Sequence, residues 1–136
     1  MAEKVVLREE DLARWLSAYG AAWEAGDPAA VVKLFTEDAT YREKPFDTPM
    51  RGHDEIRAYW QQGPADGHRE VAFQFQVWTV SGDQGYAGWQ SRFRRSGSGA
   101  LVELDGAFKL TFKEADGALL CSVLEEWWVK RETAQS

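Results

Sequence analysis

The carboxylate with the most chemical promise is Glu43. It stands in the run Ala39-Thr40-Tyr41-Arg42-Glu43-Lys44-Pro45. Strand alternation places Ala39, Tyr41, Glu43 and Pro45 on one face and Arg42 and Lys44 on the other. With the tyrosine face turned inward, Glu43 is enclosed, and desolvation raises the pKa of an enclosed carboxyl group. Such a group serves as a general base near neutral pH. The alternative is an ion pair with a lysine or arginine at a cavity mouth. Glu125 poses the same question on the last strand, among Val123, Trp127 and Val129. A carboxylate on an apolar face needs a partner, either a ligand or an internal donor such as Tyr19, an indole N–H or an arginine. Tyr19 sits on an apolar helix stripe, as a donor to a ligand oxygen or as a core residue with its hydroxyl at the edge.

The other reactive residue types offer less. His53, at a helix start and expected to be exposed, and His68, at a strand start, are isolated and lack His-Glu-x-x-His spacing, so no metal and no cofactor is expected. Cys121, the one cysteine, has no partner for an internal disulfide and reads as a small buried hydrophobe. Ser96-Gly97-Ser98-Gly99 lacks the lysine and the helix of a phosphate loop. Arg92, Arg94 and Arg95 read as a solvated strand face paired with Glu103.

These residues must be held by two kinds of element. Leu12, Trp15, Leu16, Tyr19 and Trp23 have the spacing of one face of an amphipathic helix, ended by Gly26. Asp27-Pro28 starts a short second helix that buries Val31, Leu34 and Phe35 and stops near Thr36. A short strand is predicted over Ala39 to Phe46. Gly52-His53-Asp54-Glu55 opens a third helix with Ile56, Tyr59 and Trp60 as its apolar stripe, and Gly63-Pro64 closes it. The period then changes to two. Val71, Phe73, Phe75 and Val77 share a face; so do Trp89, Ser91 and Phe93; so do Val102, Leu104, Gly106, Phe108, Leu110 and Phe112. The last strand has Leu119, Cys121, Val123, Glu125, Trp127 and Val129 on one face. Turns at Gly82-Asp83, Ser96–Gly99 and Asp116-Gly117 join the four strands into an antiparallel meander. Helices first and strands after predict an α+β fold with helices packed on one sheet face.

Composition narrows the function classes. The 136 residues fit one domain, with residues 1–8 and 131–136 expected to fray. A net charge of −6 disfavours a nucleic-acid or anionic-membrane binder, whose affinity needs a basic field. No stretch has the length of a membrane span or of a signal peptide's apolar core, so a cytoplasmic protein is expected. Seven Trp, seven Phe and four Tyr exceed what a core of this size needs, so some rings line a cavity or cover an interface.

Trp15 to Asp27 reads WLSAYGAAWEAGD, Leu34 to Tyr41 reads LFTEDATY, and Arg51 to Trp60 reads RGHDEIRAYW. With Leu104-Asp105-Gly106, Asp116-Gly117 and Glu126-Trp127-Trp128, this order and spacing resembles the SnoaL-like branch of the nuclear-transport-factor-2-like superfamily, from about Leu12 to Val129. The resemblance implies a strongly curved sheet wrapped around helices, with a cavity between them and dimers packed sheet to sheet. Members include ketosteroid-isomerase-like enzymes, cyclases and dehydratases. The isomerase pattern has a helix tyrosine, matched by Tyr19, and a first-strand carboxylate base, for which Glu43 holds the place. It also has a carboxylic acid inside the long strand. Phe108 holds that place here, and Asp105 lies on the opposite parity.

The reading is therefore a pocket for a hydrophobic small molecule, lined by Trp15, Tyr41, Trp60, Phe75, Trp89, Phe108, Glu125 and Trp127. Any chemistry there is acid–base isomerisation, cyclisation or dehydration, with Glu43 as base and Tyr19 as donor. The alternatives are a binding protein without chemistry and a dimeric interaction module. A homodimer is expected through the sheet face that carries Gln74, Gln76, Trp78, Gln90 and Arg92, with Trp128 beside them.

Overall fold

The computed structural model describes residues 5–135. Helix α1 (Glu9–Ala25) buries Leu12, Trp15, Leu16, Tyr19 and Trp23 on one side. At Gly20 it lies so close to the sheet that an added Cβ would sit 2.5 Å from the Phe73 ring. Asp27 caps helix α2 (Pro28–Val32), accepting the Ala30 N–H at 3.1 Å.

Strand β1 spans Phe35–Arg42 and not Ala39 to Phe46. The reason lies at Leu34, whose carbonyl accepts the Cys121 N–H and the Trp15 indole N–H, both at 2.9 Å. These bonds tie the chain to its neighbours just after α2 and start the extended run early. A two-residue strand, β2 (Met50–Arg51), leads into helix α3 (Gly52–Trp60), and a π-helical turn over Gln61–Ala65 carries Gly63-Pro64. His53 is half-buried, its Nε2 lying 2.9 Å from the Phe35 carbonyl oxygen.

Strands β3 (His68–Ser81), β4 (Gln84–Arg95), β5 (Leu101–Ala115) and β6 (Ala118–Thr133) form the meander. The sheet order is β2-β1-β6-β5-β4-β3. β1 runs parallel to β6, and the other neighbours are antiparallel. Three helices thus pack on a mixed six-stranded sheet that does not close into a barrel, the α+β architecture predicted. No helix among the described residues is long and apolar enough to cross a membrane.

One irregularity decides the site. Thr111 pairs with Val123 and Phe112 with Cys121, so Ser122 is an extra residue on β6. Such a bulge advances the strand by one and reverses which face later side chains take. Cys121 faces the core, and beyond the bulge so do Leu124, Glu126 and Trp128, while Glu125, Trp127 and Val129 face outward. Unbroken alternation had placed the second set inside.

Some described residues in the stretches expected to fray make specific contacts. Leu7 is buried, with its N–H on the Gly82 carbonyl at 2.8 Å. Residues 131–133 belong to β6, where Glu132 receives the Arg95 guanidinium in two bonds of 2.8 and 3.0 Å. Glu103 pairs with Arg131 and lies opposite Arg92 in the register, whereas Arg94 lies 3.7 Å from Glu70, so of the predicted cluster Arg92 faces Glu103 while Arg94 and Arg95 turn to other carboxylates. The fraying expected of residues 1–4 and 136 lies outside the described residues.

Candidate active site

The register builds one wall of a cavity as rows across the sheet. Glu126 pairs with Phe108, and Phe108 with Ala87. Trp128, Gly106 and Trp89 form the next row, and Lys130, Leu104 and Ser91 the one after. Gly106 leaves the space Trp89 needs: a Cβ there would lie 2.7 Å from Cε2 and Cζ2 of the indole. Helices α1 and α3 cover these rows with Tyr19, Trp23, Tyr59 and Trp60. Between them lies a cavity of about 240 Å³, also reached by Tyr41, Glu43, His68, Phe93 and Arg95.

The polar groups at its inner end form one cluster. The hydroxyls of Tyr19 and Tyr41 are 2.8 Å apart and buried. Two hydroxyls that share one bond leave one O–H for a further acceptor. Tyr59 donates to Glu43 Oε1 at 2.9 Å. The Trp128 indole N–H donates to the Glu43 carbonyl at 3.1 Å, and Lys44 lies over the Trp128 ring, 4.7 Å from its centroid. These contacts hold the residue that follows β1 at the cavity wall.

Glu126 is 5% exposed. Burial pushes its pKa well above the usual carboxylate range, the Glu43 charge pushes it further, and the Tyr41 hydroxyl opposes them. The neutral acid is thereby favoured. Glu43 and Glu126 are thus two carboxyl groups that share one cavity, the second of them buried. Burial also pushes the hydroxyls of Tyr19, Tyr41 and Tyr59 upward, so all three stay protonated donors.

At the other end, Trp23 donates its indole N–H to His68 Nδ1 at 3.2 Å, and the imidazole stacks on Phe93 with centroids 3.6 Å apart. Burial, with the Arg95 charge, lowers the His68 pKa to about 4. Trp60 and Trp89 bury indole N–H groups that meet no acceptor among the described residues.

Of the residues proposed from sequence, the fold gathers Glu43, Tyr19, Tyr41, Trp60 and Trp89 at the cavity. Trp15 and Phe108 stand behind the wall: Trp15 stacks on Tyr19, and Phe108 packs between Tyr19 and Trp89. Phe75 is half-buried behind Phe73. Glu125 and Trp127 are on the outer face because of the bulge. Glu125 lies 3.9 Å from both Arg42 and Lys109, and Trp127 is 47% exposed. Trp128, expected on the outer face, is inside. Sequence reasoning missed Glu126, Tyr59 and His68 as site residues. The available signal was the doublet Glu125-Glu126, of which alternation must bury one. Cys121 is buried as expected, which raises its thiol pKa.

Residues 16–120 match the profile of the SnoaL-like domain. No curated protein matches the chain. Among solved structures, the Δ5-3-ketosteroid isomerase of Mycobacterium sp. superposes with a TM-score of 0.74 at 14% identity, covering 90% of this chain and 98% of that one. A type 2 hexachlorocyclohexane dehydrochlorinase gives 0.74 at 11% identity, over 93% and 88%. The epoxide hydrolase/cyclase-like enzyme SalBIII of salinomycin pyran-ring formation gives 0.72 at 17%, over 89% and 92%. At these identities the likeness is one of fold, and the chemistries on that fold differ.

Proposed function

Because the chain belongs to the SnoaL-like domain family, we propose that its cavity binds a small hydrophobic molecule and moves a proton on carbon by acid–base chemistry. The observation that carries this reading is the cluster itself: Glu43, held by Tyr59, shares one cavity with the buried, neutral-leaning Glu126 and the Tyr19–Tyr41 pair. Glu43 takes the proton from a carbon next to a carbonyl. The C–H electron pair forms the new C=C bond, and the carbonyl π pair passes to oxygen. That oxyanion is met by the Glu126 acid or by a hydroxyl of the tyrosine pair, both buried, preorganised donors. Return of the proton to a different carbon completes an isomerisation, and cyclisation or dehydration can start from the same removal. These side chains suffice for the step. Glu126 supplies, from β6, the acid that the Phe108 position does not.

The cavity is smaller than the ordinary range for drug-sized ligands, which favours a one- or two-ring substrate. The test is proton exchange in deuterated water, followed by NMR on small cyclic ketones such as 1-indanone. The protein should accelerate loss of the proton next to the carbonyl, and Glu43→Gln should abolish the acceleration. Exchange at the buffer rate, or an undiminished rate in Glu43→Gln, would overturn the reading.

The outer sheet face supports a homodimer. Trp78 is 59% exposed and lies over Gly88, whose row continues through Ala107 to Trp127. Val129, 70% exposed, adds to this apolar strip, and Gln74, Gln76, Gln90 and Asp105 form a side-chain hydrogen-bond chain beside it. Exposed tryptophans of this kind are characteristic of interface cores.

A further inference from the structure

We propose that His68 is a ligand-orienting donor and that the outer end of the cavity selects a small hydrophobic molecule bearing a carboxylate. This rests on the cavity being the ligand site. The tautomer follows from one bond. An indole nitrogen only donates, so Nδ1 of His68, which receives the Trp23 N–H at 3.2 Å, presents its lone pair. The neutral imidazole then carries its proton on Nε2. The face-to-face stack on Phe93, 14° from parallel, fixes the plane of the ring. His68 lines the cavity and, with its ring plane fixed, offers an oriented N–H to a ligand bound there.

The charges beside it are unequal in number. Arg95 is bound to Glu132 through two bonds, and Lys130 lies 3.4 Å from the same carboxylate. Two cations against one anion leave a net positive charge. Arg95 and Lys130 both line the cavity, and their side chains are 39% and 44% exposed. That exposure marks where the cavity meets solvent. Lys130 is four residues beyond Glu126 on β6, roughly 13 Å at strand rise. The buried Glu126 thus stands at the inner end, and Arg95 and Lys130, with Glu132 between them, at the mouth. A ligand with its carboxylate on the His68 N–H, beside Arg95 and Lys130, lays its apolar body along Trp89, Val102 and Leu104. Its far end then points to Glu43.

Calorimetric titration with 2-naphthoate and 2-naphthamide tests the selection. The two share a ring system and differ in head-group charge. The acid should bind about tenfold or more tightly than the amide, as expected of a hydrogen bond to a charged group. His68→Phe, which keeps the stack and removes the N–H, should reduce that preference to what the two cations alone provide, and His68→Gln should restore part of the loss. Lys130→Gln should weaken naphthoate only. In the unsubstituted protein, nitrogen NMR should find the Nε2–H tautomer of His68, and that resonance should move on adding naphthoate. This readout does not depend on whether a variant folds. Equal or tighter binding of the amide, no binding of naphthoate, or an Nδ1–H tautomer would each overturn the proposal. Ketone exchange through Glu43 without a naphthoate preference would sink this proposal and leave the acid–base reading standing. A naphthoate preference without exchange would do the reverse.

Discussion

Tyr59 donates its hydroxyl to the carboxylate of Glu43 at 2.9 Å, joining α3 to the residue that follows β1. The proposed base is therefore held by an element other than the strand it follows, and its direction depends on how α3 packs. Glu43→Gln is expected to lower any proton-transfer rate by at least about 100-fold, the usual contribution of a positioned base. Tyr59→Phe, which loosens the carboxylate without removing it, should lower the rate by about tenfold. NMR exchange rates for both variants, with unfolding curves as controls, separate positioning from stability.

Glu126 gives a second prediction, from its displaced pKa. In the unfolded chain it titrates near the ordinary glutamate value, and in the fold its pKa lies well above this. Between the two values the native state holds more protons than the unfolded state. Its contribution is thus most favourable at acid pH and is lost as pH rises. Glu126→Gln keeps the shape and removes this penalty. It should raise stability at neutral pH and flatten the pH dependence, while slowing proton transfer. Urea unfolding at several pH values would check this.

His68 carries the opposite sign. Its folded pKa of about 4 lies below the unfolded histidine value, owing to burial and to Arg95. Stability from the neutral ring is fully present above about pH 6.5 and is lost as pH falls toward 4. His68→Phe should remove that acid-side loss, so its unfolding midpoint should change less between pH 7 and pH 5 than that of the unsubstituted protein.

Gly106→Ala would test the cavity wall. The added methyl meets the Trp89 ring at 2.7 Å and the Trp127 carbonyl at 2.8 Å, the latter being backbone that cannot turn aside. Overpacking of this kind costs about 1–3 kcal/mol. The tryptophan emission should shift as Trp89 is displaced. An unchanged spectrum and midpoint would mean the wall yields freely.

Trp78→Glu or Trp127→Glu should convert the expected homodimer to a monomer of 15.4 kDa in sedimentation at micromolar concentration. Both side chains are exposed on the outer face, so neither change should disturb the cavity. A monomer before substitution, or a dimer after both, would remove the sheet face from consideration.

Much of this protein was legible in its residues. The stripe from Leu12 to Trp23 could only be one face of a helix, and that placed Tyr19 at the centre of the interior. Alternation in β4 and β5 put Trp89, Gly106 and Phe108 on the inner face, because a side-chain period of two leaves no other arrangement without a bulge. Alternation around Tyr41 brought Glu43 to the cavity. These are local consequences of backbone geometry acting on apolar pattern.

What lay beyond reach was non-local. The tautomer of His68 depends on Trp23, on another element. The hold on Glu43 depends on Tyr59 and Trp128, likewise distant in sequence. The doublet Glu125-Glu126 is the clearest case. The sequence requires that one of two neighbours face the core but does not say which. Only the tertiary structure decides it, through the extra residue Ser122, whose bulge reverses the strand's faces. A bulge arises where two paired strands accommodate one another, so its position is a property of the β5–β6 pair and not of either strand read alone.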